Sequence, residues 1–578
     1  MKNYWKNQIK LLKWYKKPRN IIIKKNGRHI WYSDGETNVF YNCIECHLIN
    51  KKIKNKNAII TLDKNGDIKK YTYLDINSKV NAFCTFLKSQ LGLKFQKKRV
   101  MIHSSASIDS AISMLACSKL GIHFSVIFED LEILAIKNRI SIFKPNLLIS
   151  RANKANFNKK FQQLQKIKDI KIFFFKEITL NNIACVKHPT SKVKSDKSLF
   201  TLFTSGSTGQ PKGITHTTGG YLLYAKLTCK KQFGLNKQST ILTASDAGWI
   251  NGHTYALFGP LSFGSTTVLL ESPMLLLNEK ILKKILKLDI SILYVPVTII
   301  RLMKSLYKNK FFKSSSLKTL GSMGEPLAPS VGMWFAKFFK KSNKAIINTY
   351  FQTETGGIVC SPTYKESAAQ SPHGSVGKPV TKFLNINTLD LNKKEILITK
   401  PWPGCLKKVL NGKKYFDKYF DKNKSFRLFD LATIFKKNVY VHGRMDDVIN
   451  VRGHRIGSAE IESVVIKNKF IKECSVVTIN DELEGSAIIL FVASQYKEKQ
   501  EQIKKGIQDE IFSTFGSFAI PKRIVFISSL PKTRSGKILR RLLRDICADP
   551  TKPYDKDIST IMDIDIIEEV RKKIQSNI

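Results

Sequence analysis

Three short stretches of this chain carry residues suited to anionic chemistry. TSGSTG, Thr204–Gly209, sets four hydroxyl side chains and two glycines shortly before Lys212. Glycines let backbone N–H groups approach an anion closely, and hydroxyls add donors, so the spacing predicts a loop that surrounds phosphate. It is not a P-loop, because Pro211 rather than Gly precedes Lys212 and Gly213 rather than Ser or Thr follows it. Pro211 also has no N–H to offer an anion at a helix start. QTETGG, Gln352–Gly357, is a second hydroxyl- and glycine-rich stretch, with a carboxylate at Glu354. PKTRSGK, Pro531–Lys537, puts an ammonium on a Gly-flanked loop that can reach into a cleft. For Lys537, one more surface lysine is the simplest alternative, and for TSGSTG an ordinary Ser/Gly turn.

These loops need rigid elements behind them. RVMIHSS from Arg99, the apolar helical stretch near Ile108 to Leu120, and HFSVIF from His123 read as strand, helix and strand. SILYVPV, LKTLGSM and AIINTYF read as further short strands, each ending in polar or glycine-rich residues. Such alternation predicts an α/β lobe with functional loops at strand ends. After VYVHGRMDDVINVRGHRIGSAEIES the pattern becomes smaller, with strands CSVVTI and SAIILFVA, a charged helix and RIVFISSL. A domain boundary is expected near Asp446, giving units 1–445 and 446–578.

The 578 residues exceed what one core can hold, and a 43% hydrophobic content is enough for several. The longest apolar candidate, AISMLACSKLGIHFSVIF, is broken by Lys119 and His123, which argues against a membrane span. The formal charge of +52, from 97 basic against 45 acidic residues, would suit a nucleic-acid binder. The lysines, however, are spread along the whole chain beside many Asn and Ile, the signature of AT-rich coding, so no nucleic-acid partner is expected. The ten cysteines are scattered, and the basic amino terminus lacks a secretory pattern, so reduced thiols in a cytoplasmic setting are expected. CIECH, Cys43–His47, matches a haem-attachment spacing but has no export signal and no second Cys pair, and is read as coincidence.

Five stretches occur in order: the TSGSTG loop, GSMGEP (Gly321–Pro326), YFQTETGG (Tyr350–Gly357), GRMDDVINVRGHRIGSAEIES (Gly443–Ser463) and PKTRSGK. In this order they resemble the acyl- and aryl-adenylating superfamily of acyl-CoA synthetases, luciferases and peptide-synthetase adenylation domains. TTGGYLLYA, DAGWINGHTYALFGPL, ITKPWPG, LKWYKKP and DISTIMDIDIIEEV narrow the resemblance to the AMP-forming acetyl-CoA synthetases, over nearly the whole chain. The resemblance implies an α/β fold with a large N-terminal lobe of mixed subdomains, residues 1–80 being its amino-terminal region, and a small mobile α+β C-terminal domain. It implies ATP, Mg²⁺ and CoA as cofactor and co-substrates, and acetate or a close short-chain acid as the acyl donor.

The site residues it implies follow the motifs. Thr204, Ser205, Gly206, Ser207, Thr208, Gly209 and Lys212 would hold the departing phosphates. Gly324, Glu325 and Pro326 would wall the adenine, with Tyr350, Phe351, Gln352 and Thr353 beside the nucleotide. Asp430 would accept the ribose hydroxyls, and Arg444 and Arg455 would reach ribose and phosphates. Glu354 would ligate Mg²⁺. Trp249, Ile250, Asn251, Met323 and Phe351 would line the acid pocket, Arg452 and Gly453 would face CoA, Asp446 would be the hinge, and Lys537 the catalytic ammonium, itself a candidate for acetylation.

The chain departs from the family pattern at several of these positions. Phe429 stands where the family has Gly before the aspartate. Acetate-specific members carry Val, Thr, Val and Trp where this chain has Ile250, Asn251, Met323 and Phe351, so propionate or a small polar acid stays open beside acetate. On the CoA side, Arg452 replaces a small residue and Phe512 an arginine. An adenylating enzyme with an acceptor other than CoA is the second reading, and a non-catalytic basic binder the third.

Overall fold

The computed structural model describes residues 1–25, 28–131, 133–152, 164, 170–178, 186–204, 211–307, 310–381, 394–410, 412, 416–444, 448–451, 454–481, 485–533, 536–552, 561 and 563–576. The architecture is α/β, with two seven-stranded sheets in the larger part and a small three-stranded sheet with helices at the carboxyl end.

The expected strand–helix–strand unit is present as Arg99–His103, Ile108–Leu120 and His123–Ile127, the two strands parallel. Ser107 caps the helix by accepting from Ser110 N, and Gly121 ends it at φ 68. Nearly every residue of this helix is buried, and each such Leu, Ile or Met contributes about 1.5–3 kcal/mol. Lys119 is buried too, its Nζ 4.5 Å above the Phe40 ring. This first sheet continues through Ser198–Thr204 into the antiparallel Lys212–Thr217, Thr204 standing opposite Lys212. A P-loop would have entered a helix at this point; here the chain turns back as a strand.

The second sheet runs Ile347–Asn348, Thr319–Met323, Ile292–Pro296, Thr240–Thr243, Thr266–Leu270 and Asn57–Leu62, all parallel, with Ile68–Thr72 antiparallel at the edge. The strand expected over AIINTYF is shorter than read. The pairing ends with the bond from Thr349 N to Ser322 O at 3.0 Å, the Thr349 hydroxyl donates to the same carbonyl at 2.9 Å, and Tyr350 then bridges to Cys360 instead. An antiparallel sheet of Lys394–Ile398, Phe426–Phe435 and Asn438–Arg444 completes the larger part.

The hydrophobic cores divide the chain. In the larger part no core residue lies beyond Val439, and the two carboxyl-terminal cores begin at Ile461 and Val477. The amino-terminal segment belongs to the large part, with Trp5 fully buried edge-on to Trp31. Within CIECH, burial pushes the Cys46 thiol up to about 11 and Cys43 higher still, so both stay protonated. The cysteines among the described residues are all free. No helix among the described residues is long and apolar enough to cross a membrane.

Candidate functional site

Parallel strands of an open sheet deliver their functional loops at their carboxyl ends. Thr319–Met323 and Ile347–Asn348 are neighbours, so GEP and YFQTET emerge side by side. Glu325 is ion-paired with Arg301 of the helix Val297–Leu306, which begins at the end of the next strand. Gly324, Glu325 and Pro326 therefore form the mouth of this sheet beside that helix.

Asp430 reaches the same place from the antiparallel strand Phe426–Phe435. Its buried carboxylate accepts from the Tyr350 hydroxyl at 2.5 Å and from Gln352 Nε2 at 2.7 Å, and Gln352 also donates to Leu428 O at 2.6 Å. A buried carboxylate is costly without such donors. Arg444 is Asp430's register partner on the adjacent strand. Phe429 adopts φ 56. That left-handed conformation costs a side chain about 1–2 kcal/mol, so the position is one that glycine would fill without strain. The Phe429 ring is held edge-on to Tyr419 at 5.9 Å and under the Arg427 guanidinium at 4.7 Å. Arg427 in turn forks onto Glu395, with contacts of 2.9 and 2.8 Å.

The turn Thr353–Thr355 is fixed through its carbonyls. His216 Nε2 donates to Thr353 O at 2.7 Å, Leu406 N to Glu354 O at 2.9 Å, and Trp402 Nε1 to Thr355 O at 3.0 Å. Gly356 follows at φ 69, and a Cβ there would sit 2.3 Å from Gly404 O, so no other residue fits. The Glu354 carboxylate, 8% exposed, accepts the Tyr419 hydroxyl on Oε1 at 2.6 Å. Lys212 Nζ lies 5.8 Å from the Tyr419 ring centre. Thr204 and Lys212 thus close a hairpin whose strand carries His216 to the back of this turn.

Lys537 follows Gly536 in a tight hairpin, where Thr533 N donates to Lys537 O at 2.8 Å and Gly536 N to Thr533 O at 2.7 Å. This hairpin meets the large part. The Thr298 hydroxyl donates to Gly536 O at 3.2 Å, at the start of the helix that carries Arg301. Gly536 has φ 84, and an added Cβ would lie 2.9 Å from Thr298 Cγ2. Lys537 itself is exposed.

The residues expected to line an acid pocket lie at or after the ends of strands of one sheet. Met323 is 2% and Ile250 5% exposed, while Phe351 is half-buried and edge-on to Tyr255 at 5.6 Å. Trp249 packs on Phe128 at 5.0 Å and leads into Ile250–His253 and a wide π-type turn over Thr254–Phe258. Asn251 Oδ1 and Trp249 Nε1 are buried without a hydrogen-bond partner among the described residues. Asp246, just before them, is pushed up to about 7 by burial, with Asp130 and Glu129 adding to the shift.

Ser205, Gly206, Ser207, Thr208, Gly209, Asp446, Arg452 and Gly453 lie outside the described residues, as do the side chains of Arg444 and Arg455. Phe512 is 57% exposed on the helix Gln500–Phe515. Sequence reasoning missed Tyr419, His216, Trp402 and Thr298. His216 stands inside the hydroxyl-rich stretch and Thr298 directly after a predicted strand. Tyr419 sits in KKYFDKYFDKNK, which has no motif to find it by.

The class of protein, the AMP-binding enzymes, is shown by family models that match most of the chain. A sequence model of the AMP-binding enzyme matches residues 49–401, that of its C-terminal domain residues 460–537, and that of the acetyl-coenzyme A synthetase N-terminus residues 1–43. The fold resembles acetoacetyl-CoA synthetase from Streptomyces lividans, with TM-score 0.82 and 16% identity over 100% of this chain and 93% of that one. It also resembles the anthranilate CoA ligase AuaEII in complex with anthranoyl-AMP, with TM-score 0.78 and 20% identity over 89% of this chain and 98% of that one. The acetyl-coenzyme A synthetase of Helicobacter pylori is 32% identical over 98% of this chain and 91% of its own length. That of Leptospira biflexa is 33% identical over 99% and 94%. The chain belongs to the acetyl-coenzyme A synthetase family of AMP-binding enzymes, ligases that use a small carboxylate, ATP and CoA.

Proposed function

We propose that the protein joins acetate to CoA at the expense of ATP, releasing AMP and pyrophosphate, through an enzyme-bound acetyl adenylate. The observation that carries this reading is the meeting of Tyr350, Gln352 and Asp430 at the mouth of a sheet where the Gly536–Lys537 hairpin also docks. A carboxylate is a poor acyl donor because its leaving group would be oxide. Attack by its oxygen on the α-phosphorus of ATP breaks the bond to pyrophosphate and gives a mixed anhydride whose AMP leaves readily. The protein's work is to bring two anions together and offset their charge.

In this reading Asp430 accepts the ribose hydroxyls, held in place by Tyr350 and Gln352. Gly324, Glu325 and Pro326 wall the adenine, and Arg444 and Arg455 reach ribose and phosphate. Thr204 through Gly209 and Lys212 hold the leaving pyrophosphate, and Thr353 meets the α-phosphate. Lys537 lies between the carboxylate and the α-phosphate. Glu354 fits Mg²⁺, since its buried carboxylate is a hard oxygen donor on a turn whose carbonyls are already committed. Mg²⁺ there would neutralise phosphate charge.

Residues 446–578 would form a separate domain turning about Asp446, so that Lys537 serves adenylation and Arg452 and Gly453 then face CoA. The separation of the cores between Val439 and Ile461 supports that boundary. With Ile250, Asn251, Met323 and Phe351 lining the acid pocket, acetate is the default acyl donor, and propionate or a small acid with a polar group facing Asn251 is the alternative. The setting is cytoplasmic, the partners small molecules rather than nucleic acid or membrane. Acetylation of Lys537 removes its charge and would stop the first half-reaction while sparing the second.

The test is a panel of two- to four-carbon acids assayed with and without CoA. The reading predicts acid-dependent exchange of pyrophosphate into ATP without CoA, and AMP with thioester when CoA is added. Exchange without thioester would favour another acceptor. Salt-sensitive DNA binding with no exchange would favour a non-catalytic binder.

A further inference from the structure

Glu354 and Asp430 arrive from different elements, yet one short aromatic chain touches both. The Tyr419 hydroxyl donates to Glu354 Oε1 at 2.6 Å. The Tyr419 ring is stacked on Phe426 at 5.6 Å with 7° between planes, and Phe429 meets it edge-on at 5.9 Å. Phe429 is the residue directly before Asp430, and it keeps φ 56 although it is not glycine. The Arg427 guanidinium, itself forked onto Glu395, also lies over it. The strained residue is therefore held between Tyr419 and Arg427, and its ring and that of Phe426 together pack around Tyr419.

We infer that Tyr419, braced by Phe429, is a positioning residue for the Glu354 carboxylate. By holding Oε1 it would fix how the Glu354 carboxylate is presented to a cation bound with ATP. Hydrogen bonds to a ligating carboxylate of this kind typically govern metal affinity by about 10- to 100-fold when removed. The same contact ties the metal ligand to the strand that presents Asp430, so the two ends of the nucleotide site are set together. This rests on Glu354 being the metal ligand, as proposed above.

The experiment measures Mn²⁺ binding to the full chain in the presence of a non-hydrolysable ATP analogue, together with the Mg²⁺ dependence of pyrophosphate exchange. Glu354→Gln, Tyr419→Phe and Phe429→Gly are compared, with thermal midpoints recorded for each. Glu354→Gln is expected to abolish tight Mn²⁺ binding. Tyr419→Phe should weaken it about tenfold and raise the Mg²⁺ concentration for half-maximal exchange by a similar factor, with a smaller fall in kcat at saturating metal. Phe429→Gly, which relieves the left-handed strain, should hold or raise the thermal midpoint yet still weaken Mn²⁺ binding. An unchanged Mn²⁺ affinity in Tyr419→Phe, with Glu354→Gln inactive in binding, overturns the inference and leaves the Glu354 assignment standing. Unchanged affinity in Glu354→Gln overturns both. A Tyr419→Phe effect confined to kcat or to the thermal midpoint also overturns it.

Discussion

The Thr298 hydroxyl donates to the Gly536 carbonyl at 3.2 Å, joining the first turn of a helix in the large part to the hairpin that carries Lys537. Gly536 sits there at φ 84, and its missing Cβ leaves room for Thr298 Cγ2. The contact fixes where the lysine leaves the small part, one residue further on.

Gly536→Ala is expected to fail on both counts, through the left-handed backbone, which costs about 1 kcal/mol, and through the contact with Thr298. Acid-dependent pyrophosphate exchange should fall at least tenfold, and thioester formation from supplied acetyl adenylate should fall less. Adding Thr298→Ser keeps the hydroxyl and removes Cγ2, so it should restore part of the exchange. An equal loss in both half-reactions, with no rescue, would mean the contact has no role in presenting Lys537.

Much of this arrangement was legible in the sequence. The strands at Arg99–His103 and Thr319–Met323 end beside Ser104 and Gly324, as the residue types predicted, whereas Ile292–Pro296 passes into a helix at Val297, inside the stretch read as strand. The lysine hairpin and the QTETGG turn were legible through their order among motifs that resemble those of the adenylating superfamily, because one lysine or one carboxylate by itself carries little signal. Tyr419 could not be read, because its role arises from a contact to Glu354 across 65 positions. Phe429 looked like a flaw in a ribose motif. It is a side chain in a glycine's conformation, and only the packing of Tyr419 and Arg427 around it explains how it is kept. The early end of the strand at Asn348 was equally hidden, since Tyr350 pairs with Cys360 rather than continuing along the sheet.

Acid selectivity should respond to Phe351, which stands edge-on to Tyr255 at 5.6 Å. Phe351→Trp would raise the pocket floor. A methylene is worth about 1–3 kcal/mol in such a pocket, so the kcat/KM ratio of acetate to propionate should rise about tenfold or more. The check is competing-substrate kinetics. A ratio that does not move would place the acyl group elsewhere.

Asp430→Asn keeps an acceptor for Tyr350 and Gln352 but removes the charge that would meet the ribose hydroxyls. Hydrogen bonds to charged groups contribute about 1.5–3 kcal/mol, so the KM for ATP should rise roughly 10- to 100-fold with little change in the KM for acetate. Equilibrium binding of ATP and 2′-deoxy-ATP checks the assignment. The variant should lose most of the wild type's preference between them.

Stability should fall steeply in mild acid. Burial holds His47, His103 and His216 at about 4 and His123 and His253 at about 3, against an ordinary value of 6.5. Each stays neutral in the folded chain while its unfolded counterpart takes a proton below pH 6.5. Their stabilisation is thus fully present above pH 6.5 and lost as pH drops towards 4. Asp246, raised to about 7, works in the opposite direction, favouring the fold at low pH and losing that benefit as pH rises from 3.8 to 7. Five imidazoles outweigh one carboxyl here. Thermal midpoints between pH 7 and 4.5 should decline steadily, with net proton uptake on unfolding. A flat profile would show that the imidazoles are not held neutral.

The most direct test of the account is Lys537→Ala in the first half-reaction. Acetate-dependent exchange of pyrophosphate into ATP should fall at least 100-fold, the scale of removing one preorganised electrostatic partner. Conversion of supplied acetyl adenylate and CoA to acetyl-CoA should fall far less. Exchange at an undiminished rate would contradict the account, because the charge that brings carboxylate and α-phosphate together would then have to come from another residue.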